Sequence, residues 1–339
     1  MIMMKALVIE GPRNASVKEV PYPTPGPGEV TIQVERTGIC GTDFHIYKGE
    51  YMSPYPIIPG HEFAGTVHQL GEGVHTVRIG DRVTAEPNIQ CGRCTYCLTH
   101  RGNHCERWQA VGVTKNGAMA EYAVVPAHNV FVLPDSMTYG TAAFIEPLAC
   151  VVHAMNRLQV QAGDRALLFG AGAMGQQLIQ ALAHCGTSEL VVVDLSEQKL
   201  AMAKQLGATA TMLSDHAQQE LGRGPYASGF DIVVDATGIA SVIEQSLEYL
   251  GPAGKFLQFG VTAKDTRISI NPFHLFQKDL TLLGSMATNN TFYPAMLWAK
   301  EQRIRLEQLI TQTVTLEDVP ALLHNGAGAD QLKVQIQLR

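Results

Sequence analysis

Residues 165–196, RALLFGAGAMGQQLIQALAHCGTSELVVVDLS, restrict the fold more than any other stretch of this chain. A short apolar run ends in Gly170, Gly172 and Gly175, a helical pattern follows, and a second apolar run ends on Asp194, about 20 residues past the turn. The order is strand, tight glycine turn, helix, strand and acid. Glycines there let backbone N–H groups approach an anion at the positive end of the helix. Asp194 is placed to accept from ribose hydroxyls and to repel a 2′-phosphate. The plainer alternative, a tight turn between buried elements, leaves the position of Asp194 unexplained. The pattern implies a dinucleotide site that prefers NAD to NADP. Further α/β segments follow in FDIVVDATG, a helix near 241–250, GKFLQFGV and LTLLGS. Residues 151–286 therefore read as a doubly wound parallel sheet.

The texture upstream is different. PGPGEVTIQVERTG, GTVHQLGEGV, GDRVTAE and AEYAVVP are short alternating runs broken by glycine and proline, the pattern of strands and turns. Residues 1–150 read as a β-rich domain, and residues 287–339 as a return to it. A chain of 339 residues accommodates two domains.

Charge excludes some partners. The net charge of −6 arises from scattered acids and bases, so no basic stripe suggests nucleic acid and no basic amphipathic helix suggests a membrane surface. Residues 166–188 carry no Asp, Glu, Lys or Arg, but Gly170, Gly172, Gly175, Gln176, Gln177 and Gln180 interrupt a run otherwise long enough to span a bilayer. The opening MIMMKALVIE meets Glu10 too early to hold a secretory apolar core. The expected location is the cytoplasm.

Four of the seven cysteines, Cys91, Cys94, Cys97 and Cys105, fall in CGRCTYCLTHRGNHC. Disulfides rarely persist in a reducing cytosol. Cysteines two residues apart bridge poorly but chelate well, and four thiolates from one loop close a tetrahedral, structural zinc site. A second group is mixed: Cys40, the pair His61-Glu62, and Glu146 just before Pro147, a residue suited to opening a helix. One thiolate, one imidazole and one or two carboxylates leave a position open, as a catalytic zinc requires.

Taken in order, GICGTDFHIYKG, PGHEFAGTV, the cysteine quartet, IEPLACVVHA and GAGAMG resemble the zinc-dependent medium-chain alcohol dehydrogenases over nearly the whole chain. The resemblance implies a GroES-like catalytic domain split in sequence around a Rossmann domain, with the active site in the cleft between them. It implies two zinc ions per chain. Cys40 and His61 are ligands of the catalytic ion, completed by Glu62 or Glu146 or both in turn, and Asp43 orients His61. Many members carry cysteine where Glu146 stands, and the glutamate resembles the sorbitol, threonine and polyol dehydrogenase branch. Cys150, one helical turn further on, reads as a buried thiol. A hydride passes to the nicotinamide, and the hydroxyl proton leaves through Thr42, a ribose hydroxyl and His45. Cofactor contacts are expected at Gly170, Gly172, Ala173, Met174, Gly175, Asp194, Lys199, Thr237 and Val261. The expected reaction oxidises a secondary alcohol of a polyol or sugar to a ketone, in a homo-oligomer, dimer or tetramer.

The segment LLGSMATNNTF is expected to face substrate, with Ser285, Thr288, Asn289 and Asn290 as neutral partners for hydroxyls, unless the asparagines only cap a helix beginning near Thr291. Alternatives are an L-threonine 3-dehydrogenase-like enzyme and a simple alcohol dehydrogenase. A zinc-free quinone or enone reductase would lack Cys40, His61 and the quartet, and a non-enzymatic zinc-binding or redox-sensing protein would not need the glycine turn with Asp194.

Overall fold

The computed structural model describes residues 2–328 and 330–339. The chain divides into one unit of Met1–Ala149, Thr288–Gln302 and Leu306–Arg339, and a second of Cys150–Ala287 with Arg303–Arg305.

The first unit is the GroES-like, β-rich one. Its seven-stranded sheet runs Ile310–Val314, Lys333–Gln337, Glu29–Gly38, Glu62–Leu70, Arg82–Ala85 and Val130–Val132, with Tyr122–Pro126 also paired to Glu29–Gly38. The central strand, EVTIQVERTG, alternates as a half-buried strand should, with Val30, Ile32 and Val34 fully buried. These three pack with Phe63, Val67 and Val83, while Ile46, Val314 and Ile336 join Leu7 and Ile9 in a separate core cluster. Gly38 is paired with Glu62 on one side and with Gln335 on the other. Sheet register therefore carries the strand at 333–337 to the neighbourhood of Glu62, far away in sequence.

The second unit is a Rossmann-type sheet of six parallel strands. Their order is Ala210–Leu213, Glu189–Asp194, Arg165–Phe169, Phe230–Asp235, Leu250–Gln258 and Thr281–Gly284. Numbered along the chain this is 3-2-1-4-5-6, and the order reverses between Arg165–Phe169 and Phe230–Asp235, where such sheets open a crevice at their carboxyl ends. Leu167, Val191 and Val233 are fully buried and the run is nearly all apolar, as strands covered on both faces demand.

Residues 303–305 differ from the expected return over 287–339, because they pack with the second unit. The Arg305 N–H donates to Gln180 Oε1 at 2.8 Å, and Arg305 Nη2 donates to the Gln205 carbonyl at 3.1 Å. No helix among the described residues is long and apolar enough to cross a membrane.

Candidate active site

Cys40 precedes the helix Gly41–Lys48, and Asp43 fastens that helix start by accepting the Cys40 N–H on Oδ2 at 2.8 Å. His61 lies just ahead of the strand Glu62–Leu70. It follows Gly60, whose φ of +96° is open to glycine and where a Cβ would stand 2.7 Å from the Met119 nitrogen. Donor atoms of Cys40, His61 and Glu62 all lie within 4.8 Å of one another. His61 Nδ1 is 3.7 Å from Asp43 Oδ1, and Asp43 is fully buried. Burial disfavours the imidazolium, but the Asp43 carboxylate, Cys40 and Glu146 outweigh it and hold the His61 pKa well above its usual range. A half-buried thiol beside a buried imidazole and carboxylate, in one concentration of negative charge, is a donor set that fits a zinc ion with a position left over.

A fourth charged residue, not legible in the sequence, joins this group. Lys333 donates to both oxygens of Glu62, at 2.9 and 2.7 Å, and to the Ile39 carbonyl at 3.3 Å. Room for the Glu62 carboxylate depends on Gly38, because a Cβ there would stand 2.1 Å from Glu62 Oε2. Glu146 sits in the first turn of the helix Ile145–Leu158, as expected, and is buried. It lies outside the 4.8 Å set, but its charge acts on both His61 and Lys333. Tyr51 is a second residue missed from sequence. Burial raises its phenol pKa first, and the charges of Cys40 and Glu146 raise it further. Its only sequence signal is an aromatic residue in a Gly- and Pro-rich loop.

Thr42 and His45 are on the first two turns of the helix Gly41–Lys48. Thr42 Oγ1 lies 3.8 Å from Cys40 Sγ. His45 is half-exposed, with Nδ1 2.8 Å from Glu50 Oε2.

The quartet is assembled as the spacing suggests. The sulfurs of Cys91, Cys94, Cys97 and Cys105 lie within 4.8 Å of one another, and none is in a disulfide. Backbone N–H groups of Cys91 and Arg107 point at Cys105 Sγ, at 3.2 and 3.4 Å. N–H groups of Cys97 and Glu106 hold the Cys94 pKa down to about 6, whereas burial and hydrogen bonds to Cys94 and Cys105 push Cys97 up to about 12. The cluster alone cannot ionise all four thiols. A divalent cation held by these four sulfurs would supply the missing positive charge and displace the protons.

In the second unit, Gly170 takes φ +97° at the end of its strand, and a Cβ on Gly175 would stand 1.9 Å from the Gly170 carbonyl oxygen. Only glycines allow the strand to turn so closely into the helix Ala173–His184. Asp194 ends the neighbouring strand, accepting the Ala171 N–H on Oδ2 at 2.6 Å and the Ser196 N–H on Oδ1 at 2.9 Å. Thr237 Oγ1 donates to Asp235 Oδ1 at 2.6 Å, and Lys199 lies in the helix Glu197–Gln205. Exposed Leu195, Ile239 and Val261 follow the carboxyl ends of three strands of this sheet. Of these, Leu195 and Ile239 were not legible as site residues.

The LLGSMATNNTF reading does not hold for two of its four residues. Thr288 is fully buried and donates to Glu86 Oε1 while accepting from Asn88 Nδ2 at 2.8 Å. Asn289 Nδ2 donates to the His100 carbonyl at 2.8 Å, which ties it to the cysteine loop. Asn290 adopts φ +56°, and the helix after Thr291 has no side-chain cap. The Thr288 hydroxyl and the Asn289 amide nitrogen thus hold the return segment in place.

The family profile "Alcohol dehydrogenase GroES-like domain" matches residues 26–135, and the profile "Zinc-binding dehydrogenase" matches residues 173–301. D-arabinitol dehydrogenase 1 of Uromyces fabae is 32% identical, covering 98% of this chain and 97% of its own length. D-altritol 5-dehydrogenase of Agrobacterium fabrum is 34% identical, covering 95% of this chain and 96% of its own. A structure described as a zinc-binding dehydrogenase from Sinorhizobium meliloti, bound to NADP, superposes with a TM-score of 0.96 at 32% identity over 100% of both chains. The two fold units, the two cysteine-containing clusters, the glycine turn and these full-length similarities agree: the chain belongs to the zinc-type medium-chain alcohol dehydrogenase family.

Proposed function

We propose that this enzyme oxidises a secondary alcohol of a polyol or sugar to a ketone, using NAD and two zinc ions per chain. The observation that carries the reading is the Cys40–His61–Glu62 set, on which the charge of Glu146 also acts, in a chain that also holds a glycine turn pinned by Asp194. Cys40 and His61 would hold the catalytic ion with Glu62 or Glu146, and Cys91, Cys94, Cys97 and Cys105 the structural one. Zinc supplies Lewis acidity toward a hydroxyl, and the nicotinamide supplies the hydride acceptor.

The chain's own groups do the rest. Asp43 stands behind His61 and favours the orientation that leaves its other nitrogen toward the ion. Lys333 balances the charge of Glu62. Thr42, beside Cys40, takes the hydroxyl proton, and half-exposed His45 with Glu50 returns it to solvent. The Tyr51 phenol is a hydrogen-bonding group for a hydroxylated substrate, and a site built for hydroxyls rejects analogues lacking them. The two relatives named for arabinitol and altritol support this choice.

Asp194 stands at the strand end as a fixed negative charge, which supports NAD over NADP even though the Sinorhizobium relative was solved with NADP. Self-association belongs to the same reading. The edge strand Thr281–Gly284 exposes Leu282, and Phe273 and Phe276 nearby are 60% and 80% exposed. Sedimentation of the pure protein as a dimer or tetramer is the expected result.

The deciding experiment is a panel of polyols, sugars, threonine and primary alcohols with NAD and with NADP, followed by initial rates. A polyol or sugar with NAD should give the highest kcat/KM. Threonine as the best substrate would favour the amino-alcohol alternative. Primary alcohols turned over as efficiently as every polyol would leave only the family assignment.

A further inference from the structure

Three glutamines line the buried side of the helix after the glycine turn, where apolar side chains are the ordinary choice. Gln176 and Gln177 are fully buried, and Gln180 is 4% exposed. A buried amide is retained without loss only when it is hydrogen-bonded, so the partners of each matter. Gln180 exchanges bonds with Arg305. Gln177 Nε2 stays within its own helical turn, on the Ala173 carbonyl at 3.2 Å and Met174 Sδ at 3.6 Å. Of the three, Gln176 joins the glycine turn to the helix after Asp194. Its Nε2 donates to the Ala171 carbonyl at 3.0 Å and to the Lys199 carbonyl at 2.9 Å.

Those two carbonyls belong to different parts of the nucleotide crevice. Ala171 lies inside the glycine turn, between Gly170 and Gly172. Lys199 lies in the first turn of the helix that follows Asp194. Asp194 already joins the same two segments from the other side, through the Ala171 N–H at 2.6 Å and the Ser196 N–H at 2.9 Å. Ala171 is therefore held at both its N–H and its carbonyl, and a closed circuit runs from Ala171 through Asp194, Ser196, Lys199 and Gln176 back to Ala171.

We propose that Gln176 is a positioning residue for the adenosine half of the dinucleotide. Its single NH2 group fixes the separation between the turn whose N–H groups take the pyrophosphate and the acid that takes the ribose, so both meet one ligand without rearrangement. Such preorganisation strengthens binding by removing the cost of ordering the site. The inference rests on the dinucleotide reading above and adds to it a residue that never needs to touch the ligand.

The test compares Gln176→Met, similar in length and without a donor, with Gln177→Met, which loses an equally buried amide that spans nothing. Binding of NADH is followed by its fluorescence, and ADP-ribose is used as a competitor. For Gln176→Met, the Kd of NADH and the Ki of ADP-ribose should rise together by about tenfold. KM for NAD should rise in step while kcat at saturating NAD stays within about twofold. Gln177→Met should bind both ligands as the parent does. Should Gln176→Met not fold, Gln176→Glu, of the same shape but with an acceptor in place of the NH2, gives the same comparison. Unchanged affinity in a folded Gln176 variant overturns the proposal, as does an equal loss in Gln177→Met. A parent protein that binds neither ligand overturns the dinucleotide reading itself, a distinguishable failure.

Discussion

Lys333 Nζ stands 2.7 and 2.9 Å from the two carboxylate oxygens of Glu62, and the side chains are 4% and 1% exposed. Two charges so deeply buried depend on each other, since removing one leaves the other without water or partner. Lys333→Met should lower the stability of the β-rich unit by about 3 kcal/mol or more. Adding Glu62→Gln should recover most of the loss. Urea unfolding of the single and double variants measures both, and a single variant as stable as the parent would show that the pair is not holding the charge.

Metal analysis of the pure protein should find two zinc ions per chain. Cys94→Ser should reduce that to one and lower the unfolding midpoint before it affects turnover, because the quartet fastens a loop whose His100 carbonyl anchors Asn289. Full thermal stability in a one-zinc protein would contradict this assignment of the quartet.

Proton transfer separates Thr42 from His45. Thr42→Ala should keep zinc and cofactor yet lose about a hundredfold in kcat. His45→Asn should lose less than about tenfold, because water replaces a half-exposed relay member. Oxidation by the parent should quicken as pH rises through neutrality. A fully active Thr42→Ala enzyme removes the relay from the mechanism.

Glu86 predicts a pH effect on stability that is independent of catalysis. Burial raises its pKa above the ordinary 4.5, and the hydrogen bond from Thr288 offsets only part of that. The folded protein therefore binds this proton more tightly than the unfolded chain does. Its contribution favours folding below pH 4.5 and is lost as pH rises through the folded pKa. Glu86→Gln should melt higher than the parent at neutral pH, with the gain shrinking toward pH 4. An equal gain at both pH values would locate the effect elsewhere.

The parts legible in sequence are those whose chemistry lies within a few residues. The quartet spans one loop, the glycine turn and Asp194 one strand-helix-strand unit, and Cys40 with Asp43 one helix start. Lys333 escaped because its meaning lies in Glu62, 271 residues away, and the two are joined only by sheet register at Gly38. The LLGSMATNNTF reading failed for a related reason. Composition identified Thr288 and Asn289 as hydrogen-bonding residues, but distant partners at Glu86, Asn88 and His100 already occupy the Thr288 hydroxyl and the Asn289 amide nitrogen. Gln176 looked like any amphipathic helix residue until its two carbonyl partners were known.

The register that brings Lys333 to Glu62 also sets a timetable. While the chain is being synthesised, all six strands of the nucleotide unit have left the ribosome before residue 333 exists. Domains generally fold as units during synthesis, and the nucleotide unit needs only the short Arg303–Arg305 segment from the later sequence. The end of the strand Glu29–Gly38, with Glu62 beside it, meanwhile keeps an open edge and an unneutralised carboxylate. The half of the protein that is made first is thus the half that finishes last, and its metal-type site is assembled only when the final strand is laid against Gly38.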